Sequence, residues 1–114
     1  FEAAVDSQAE LDPEPVGRYT RAFLKALAEP ALAAVGRGLL AAVALNQELL
    51  EPLRASYRRC QARLARDGLD PLTAYQCVLI ADSLWYGAIF DLPPPPAEVV
   101  GELRRRLIES TRAR

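Results

Sequence analysis

Asp82 is the residue of this chain most clearly set apart for chemistry. It is the sole charge in the run Leu72–Phe90, LTAYQCVLIADSLWYGAIF. A carboxylate among apolar side chains has to be partnered, because burying an unpaired charge is very costly. The partner can be a donor on a ligand, a group on a second subunit, or a Tyr, Trp or backbone N–H of the same chain. Tyr19, Phe23, Tyr57, Tyr75, Trp85, Tyr86 and Phe90 supply aromatic surface around it in sequence. Aromatics at helical spacing can be plain core. Four tyrosines nevertheless bring hydroxyls that need partners when buried, and an apolar cavity with a few polar groups is how helical bundles hold small molecules.

Most other chemistry is missing. The chain has no His, and so lacks the commonest general base and metal ligand. It carries no GxSxG, HExxH or Gly-rich phosphate loop. Its two cysteines, Cys60 and Cys77, fit neither a disulfide framework nor a CxxC metal pattern, and read as buried free thiols within helices. No catalytic residue, metal ligand or cofactor is expected, and the chain is read as a non-enzyme.

Helices must position whatever site exists. Ala (20 residues) and Leu (18) dominate, both strong helix formers, and no period-two run suggests a strand. Residues 1–10 read as the tail of a helix, and LDPEP (11–15) breaks it, since proline cannot sit inside a helix. A helix follows over 16–28 with Tyr19, Phe23 and Leu27 on a narrow stripe and Arg18, Arg21 and Lys25 off it. The next, over 30–45, begins at Pro30, has Arg37 as its one charge and is expected to be largely buried. Gly36 and Gly38 within it suggest a bend or a closely packed neighbour. Asn46 can cap a helix over 47–66, kinked or started late by Pro52, with Leu53, Tyr57, Cys60 and Leu64 inward and five arginines outward. Asp67-Gly68 ends it. Asp70-Pro71 opens the helix that carries Asp82. Pro93–Pro96 form an extended connector, and a last amphipathic helix over 97–111 has Glu102–Arg106 and Arg105–Glu109 pairs on its outer side.

At 114 residues and 51% hydrophobic, the chain suits one all-α domain of about five helices. Net charge is −1, so nothing draws it as a whole to nucleic acid, and it is expected to bind duplex DNA no better than any weakly acidic protein. No apolar run of 18 residues predicts a membrane span, and no signal peptide is recognised. The absence of Met and the start at Phe1 suggest a piece of a longer protein.

The stretch YRRCQARLARDGLDPLTAYQCVLIADSLWYGAIFDLPPPP, followed by an amphipathic helix, resembles the C-terminal half of TetR-family transcriptional regulators. The carrying features are a long helix closed by Gly, an Asp-Pro start, an Ala-rich helix with an Asp-Gly-Leu-Trp-like element, and a proline connector. Here that element is Asp82-Ser83-Leu84-Trp85, with Ser83 where Gly is frequent. EPALAAVGRGLLAAVALNQELLEPLRASY upstream is similar to the preceding helices of the family.

The resemblance implies a bacterial, cytoplasmic repressor that forms a homodimer through a four-helix bundle made of the last two helices of each subunit. A small, largely apolar effector would bind between earlier helices and alter DNA binding by a helix-turn-helix domain preceding Phe1, with residues 1–12 as the helix tail and linker leading from it. Operator DNA would be a partner only through that domain, and no membrane partner is expected. Tyr19, Phe23, Val43, Tyr57, Cys60 and Trp85 are expected to border the effector cavity. Val78, Ala81, Ala88, Val100, Leu103 and Leu107 are candidates for the dimer interface, because the helix bearing Asp82 is too apolar for one subunit to cover. The alternative is a helical homodimerisation or adaptor module with no small ligand, which would have a dry, fully packed centre.

Overall fold

The computed structural model describes residues 1–112, and among them the chain forms six α-helices and no strand. These are α1 (Glu2–Glu10), α2 (Arg18–Leu27), α3 (Pro30–Leu45), α4 (Leu50–Ala65), α5 (Pro71–Ile89) and α6 (Ala97–Ser110). A single 3-10 turn, Gln47–Leu49, precedes α4. It is capped by Asn46, whose Oδ1 accepts from the Glu48 amide at 3.0 Å. Pro52 accordingly falls in the first turn of α4, where its missing N–H costs nothing. The helix starts late rather than kinking.

The short helix α2 is the axle of the fold and touches every other helix. Tyr19, Ala22, Phe23, Leu24, Ala26 and Leu27 are all buried on it. Each large apolar side chain enclosed this way contributes about 1.5–3 kcal/mol. Thr20 and Arg21 are buried too, which overturns the expected narrow stripe: only Lys25 among Tyr19–Leu27 is exposed. An arginine can lie on that face because its donors all find oxygen. Arg21 Nε donates to Asp12 Oδ2 at 2.6 Å, Nη2 to the Glu14 carbonyl at 2.9 Å, and Nη1 to the Thr111 carbonyl at 3.2 Å. The proline-bounded break after α1 and the end of α6 are thereby fastened to one guanidinium.

The start of α2 has an unusual cap. Gly17 sits at the N-cap with φ +79°, a conformation glycine adopts without strain, and has no side chain to offer the first amides. Asp67, at the end of α4, fills that role from a distance. Its two carboxylate oxygens accept from the Tyr19 and Thr20 amides, each at 2.9 Å, and from the Thr20 hydroxyl at 2.7 Å. Its carbonyl takes the Gly17 amide at 2.9 Å. Asp67-Gly68 does close α4, with Gly68 at φ +85°, but the aspartate also caps a helix 47 residues upstream.

The expectation for α3 fails. Only Gly36 is buried on it, and Val35, Leu39, Leu40 and Leu45 are exposed. An apolar helix at the rim of a small domain has neighbours on one side only, and α3 meets α5 where Gly36 lies. A Cβ at Gly36 would come 2.6 Å from Ile89 Cδ1 and 2.7 Å from Trp85 Cζ2, so the close approach needs glycine. Gly38 faces open space and plays no such part. Arg37, the lone charge of α3, donates from Nη1 to the Ala88 carbonyl at 3.0 Å and so satisfies a last-turn acceptor of α5.

At the other end, Asp70 caps α5 through the Thr73 amide, with Pro71 in the first position. On the exposed side of α6, Arg106 Nε reaches Glu102 at 3.0 Å and Arg105 pairs with Glu109, as their spacing predicts.

Candidate functional site

Between α2, α4 and α5 lies a cleft of about 80 Å³. Phe23 from α2, Tyr57 and Cys60 from α4, and Val78 and Trp85 from α5 wall it, and Phe1, ahead of α1, closes one side with its ring 5.2 Å from that of Phe23. These side chains converge because α4 and α5 each turn a stripe toward the axle helix. Cys60 and Leu64 are buried on the first, and Ala74, Cys77, Val78 and Ala81 on the second.

Asp82 lines this cleft and is 9% exposed. Among the described residues it has no ion pair, and the one side-chain donor acting on it is the Tyr57 hydroxyl. Burial pushes its carboxyl up to about 6, and the nearby Tyr57 hydroxyl only partly offsets that. Tyr57 meets the Tyr86 hydroxyl at 2.9 Å. Burial first, then that contact and the charge of Asp82, drive the Tyr57 hydroxyl well above the ordinary phenol range, so it stays protonated. Trp85 stands edge-on to Tyr86 with ring centroids 5.3 Å apart, and its buried indole N–H has no partner.

A second, almost wholly apolar groove of similar size lies between α3, the start of α4 and the end of α5. Leu39, Leu40, Val43 and Phe90 line it, and it shares Leu53 and Trp85 as a wall with the first cleft. It holds no charged side chain, and it offers bulk contact where the first cleft also offers directed polar groups.

Of the six side chains expected around one cavity, the structure brings Phe23, Tyr57, Cys60 and Trp85 together. Val43 lies in the apolar groove instead. Tyr19 does not line the cleft: its ring lies under the Arg63 guanidinium, 4.1 Å from the centroid, and its hydroxyl lies beside Cys60. Tyr75 and Leu53 stood out in the sequence without being assigned to the cavity, and Phe1 and Leu79 did not stand out. Tyr75 and Leu79 sit at i−7 and i−3 from Asp82 on α5, a spacing that could have pointed to them.

The six candidates for a dimer interface divide in the same way. Val78, Ala81 and Leu107 are buried within the single chain, where α2, α5 and α6 meet, and have no surface left to give a partner. Ala88 is exposed, and Val100 and Leu103 are half-buried. Leu72 and Leu79 on α5, Phe90 just after it and Val99 on α6 are further exposed apolar residues on the same two stretches. Both thiols are free and buried, and the Cys77 thiol is pushed up by burial beside the Leu107 carbonyl. No cluster of three or more metal-ligating side chains occurs among the described residues. No single helix is long and apolar enough to cross a membrane.

Against known families, the model for the tetracyclin repressor-like, C-terminal domain matches residues 17–112. Neither a curated protein nor a solved structure matches the chain.

Proposed function

Because the chain belongs to the tetracyclin repressor-like C-terminal domain family, a domain of transcriptional regulators, we propose that it is the effector-sensing and dimerisation part of a repressor acting in the bacterial cytoplasm. Its effector is a small, largely apolar molecule held between α2, α4 and α5. The observation that carries this reading is the cleft walled by Phe23, Tyr57, Cys60 and Trp85 around the buried Asp82. An adaptor with no ligand would be expected to fill that space with side chains.

A route from the cleft toward a DNA-binding domain runs through α1. Phe1 forms part of the cleft wall, and α1 is held to α4 by Glu2–Arg59 at 2.8 Å and by Asp6–Arg63. Since α1 packs mainly on α2 and is tied to α4 by these pairs, a molecule that shifts α4 relative to α2 pulls on α1. In the full protein, that displacement would favour one spacing of the two helix-turn-helix heads over the other. Dimerisation uses the apolar surface that α5 and α6 leave uncovered, including Leu72, Leu79, Ala88, Val99 and Leu103. Uncovered apolar area of this kind on two adjacent helices suits an isologous contact with a second copy.

Light scattering at micromolar concentration is expected to give the mass of a dimer, and a stable monomer would remove the dimerisation half of the proposal. Trp85 is the only tryptophan in the chain. Its fluorescence therefore reports on the cleft and on the groove that shares it as a wall, and Asp82→Asn, which alters the cleft alone, tells the two apart. Small apolar probes are expected to change it saturably, and an unchanged signal across such probes would remove the sensing half.

A further inference from the structure

Three acids are buried in this fold, and they are treated differently. Asp12 takes the Arg21 guanidinium at 2.6 Å and the Glu14 amide at 3.0 Å. Asp67 accepts two amides and a hydroxyl. Asp82 is about as enclosed as either and lines the cleft, but among the described residues it pairs with no cation, and the one side-chain donor acting on it is the Tyr57 hydroxyl, which is also bonded to Tyr86. A fold that satisfies its other buried carboxylates so fully leaves this one on a cleft wall with a single shared hydroxyl.

Resting on the sensor reading above, we propose that the cleft selects a positively charged ligand: an apolar, aromatic-sized body bearing a protonated amine that pairs with Asp82. Charge argues for this. Asp82 is the only charged side chain lining the cleft, so an anion would meet repulsion and a neutral body would leave the carboxylate unpaired. Aromatic surface argues for it as well. Phe23, Tyr57, Tyr75 and Trp85 all line the same space, and ring faces attract ammonium groups.

The groups that titrate near Asp82 are few. Tyr57 and Cys60 come from α4, Tyr75 and Tyr86 from α5, and α2 offers Phe23. Arg37 of α3 is engaged at the Ala88 carbonyl, and Arg104 of α6 lies across α5 beside Ala81 and Leu84. Among the described residues no cationic side chain lines the cleft, and the amino group of Phe1 is the one other positive charge on a lining residue. Amine binding is therefore expected to weaken as Asp82 takes up a proton.

The test titrates the protein with three probes of nearly equal shape, phenethylamine, phenethyl alcohol and phenylacetate, and follows Trp85 fluorescence. At about pH 7.5 the amine is expected to bind roughly tenfold or more tightly than the alcohol, with phenylacetate weakest. Lowering the pH to about 5 should reduce amine affinity about tenfold and leave the alcohol unchanged, which needs no substitution. Asp82→Asn, its fold verified by circular dichroism, should remove the preference for the amine. If the alcohol or the acid binds as tightly as the amine, the charge selection is wrong and the sensing cleft survives. If none of the three binds, the proposal and the sensor reading fall together.

Discussion

The two ends of this molecule bury charge in opposite ways. Around Arg21, a cation with no exposed surface is met by Asp12, Glu14 and Thr111. The contacts join three separate stretches of chain, so that end is a finished piece of structure. Around Asp82, a buried anion that keeps a little exposure has mostly apolar walls, two hydroxyls bonded to each other, and an indole N–H without a partner. The first arrangement stabilises a fold. The second holds a charge in an unfavourable setting, which proteins tolerate mainly where a bound molecule or a function relieves it.

The sharpest way to break the comparison is to remove the hub of the finished end. Arg21→Met leaves Asp12 buried without its counter-ion and frees the end of α6. Truncating one partner of a buried pair typically costs about 3–5 kcal/mol, a large share of the stability of a domain this size. Urea denaturation should show that loss. A change below about 1 kcal/mol would mean that water replaces the guanidinium and that this end is less closed than its geometry indicates.

Asp82→Asn should act the other way. The Asp82 carboxyl is held at about 6 in the folded chain, above its ordinary value. The folded state therefore keeps a proton that the unfolded state releases. Stability from this group is fully present below about pH 4 and is lost as pH rises through about 6. Asp12 has the opposite sign: the Arg21 hydrogen bond lowers its carboxyl, so its contribution is present above the usual range and is lost as pH falls. The Asn variant should thus be more stable than the parent at about pH 7.5, by about 1–2 kcal/mol once water in the open cleft is allowed for, and should converge with it near pH 4. Thermal melts across that range check the sign. A variant less stable at pH 7.5 would show that Asp82 has found a stabilising partner.

The contrast between the two ends was only half legible in the sequence. Asp82 stood out because it interrupts an apolar run, and the all-helical architecture, the breaks at the prolines and the caps at Asn46 and Asp70 followed from local residue types. Arg21 did not stand out. It lies two positions from both Tyr19 and Phe23, on the side of the helix opposite that stripe where a surface arginine normally sits, and its partners are 9 and 90 residues away in sequence. Asp67 was legible as a helix end and not as the cap of α2, for the same reason: a contact spanning 47 residues leaves no local periodicity. The composition of α3 suggested burial, but composition records how apolar a helix is and not how many neighbours it will have. Val43 was misplaced because it lies on α3, which lends no side chain to the cleft wall, and Tyr19 because its ring goes to Arg63; assigning faces needs the packing.

The smallest effect belongs to a third setting, charge left at the surface. Arg63 pairs with Asp6 across α1 and α4 and also covers the Tyr19 ring. Its side chain is 41% exposed, so water competes for the ion pair, and such pairs seldom exceed about 1 kcal/mol. The cation–ring contact adds a similar amount and is shielded less by salt, because one side of it is protein. Arg63→Gln is therefore expected to cost about 1 kcal/mol at low ionic strength and roughly half that in about 1 M salt, with the remainder coming from packing on Tyr19. Denaturation curves at the two salt concentrations separate the components. Because neither Arg63 nor Tyr19 lines the cleft, the variant should leave probe binding at Trp85 unchanged. A shift in that binding would instead show that the seam between α1 and α4 is coupled to the cleft, and would make this exposed pair part of the path by which an occupied site moves α1.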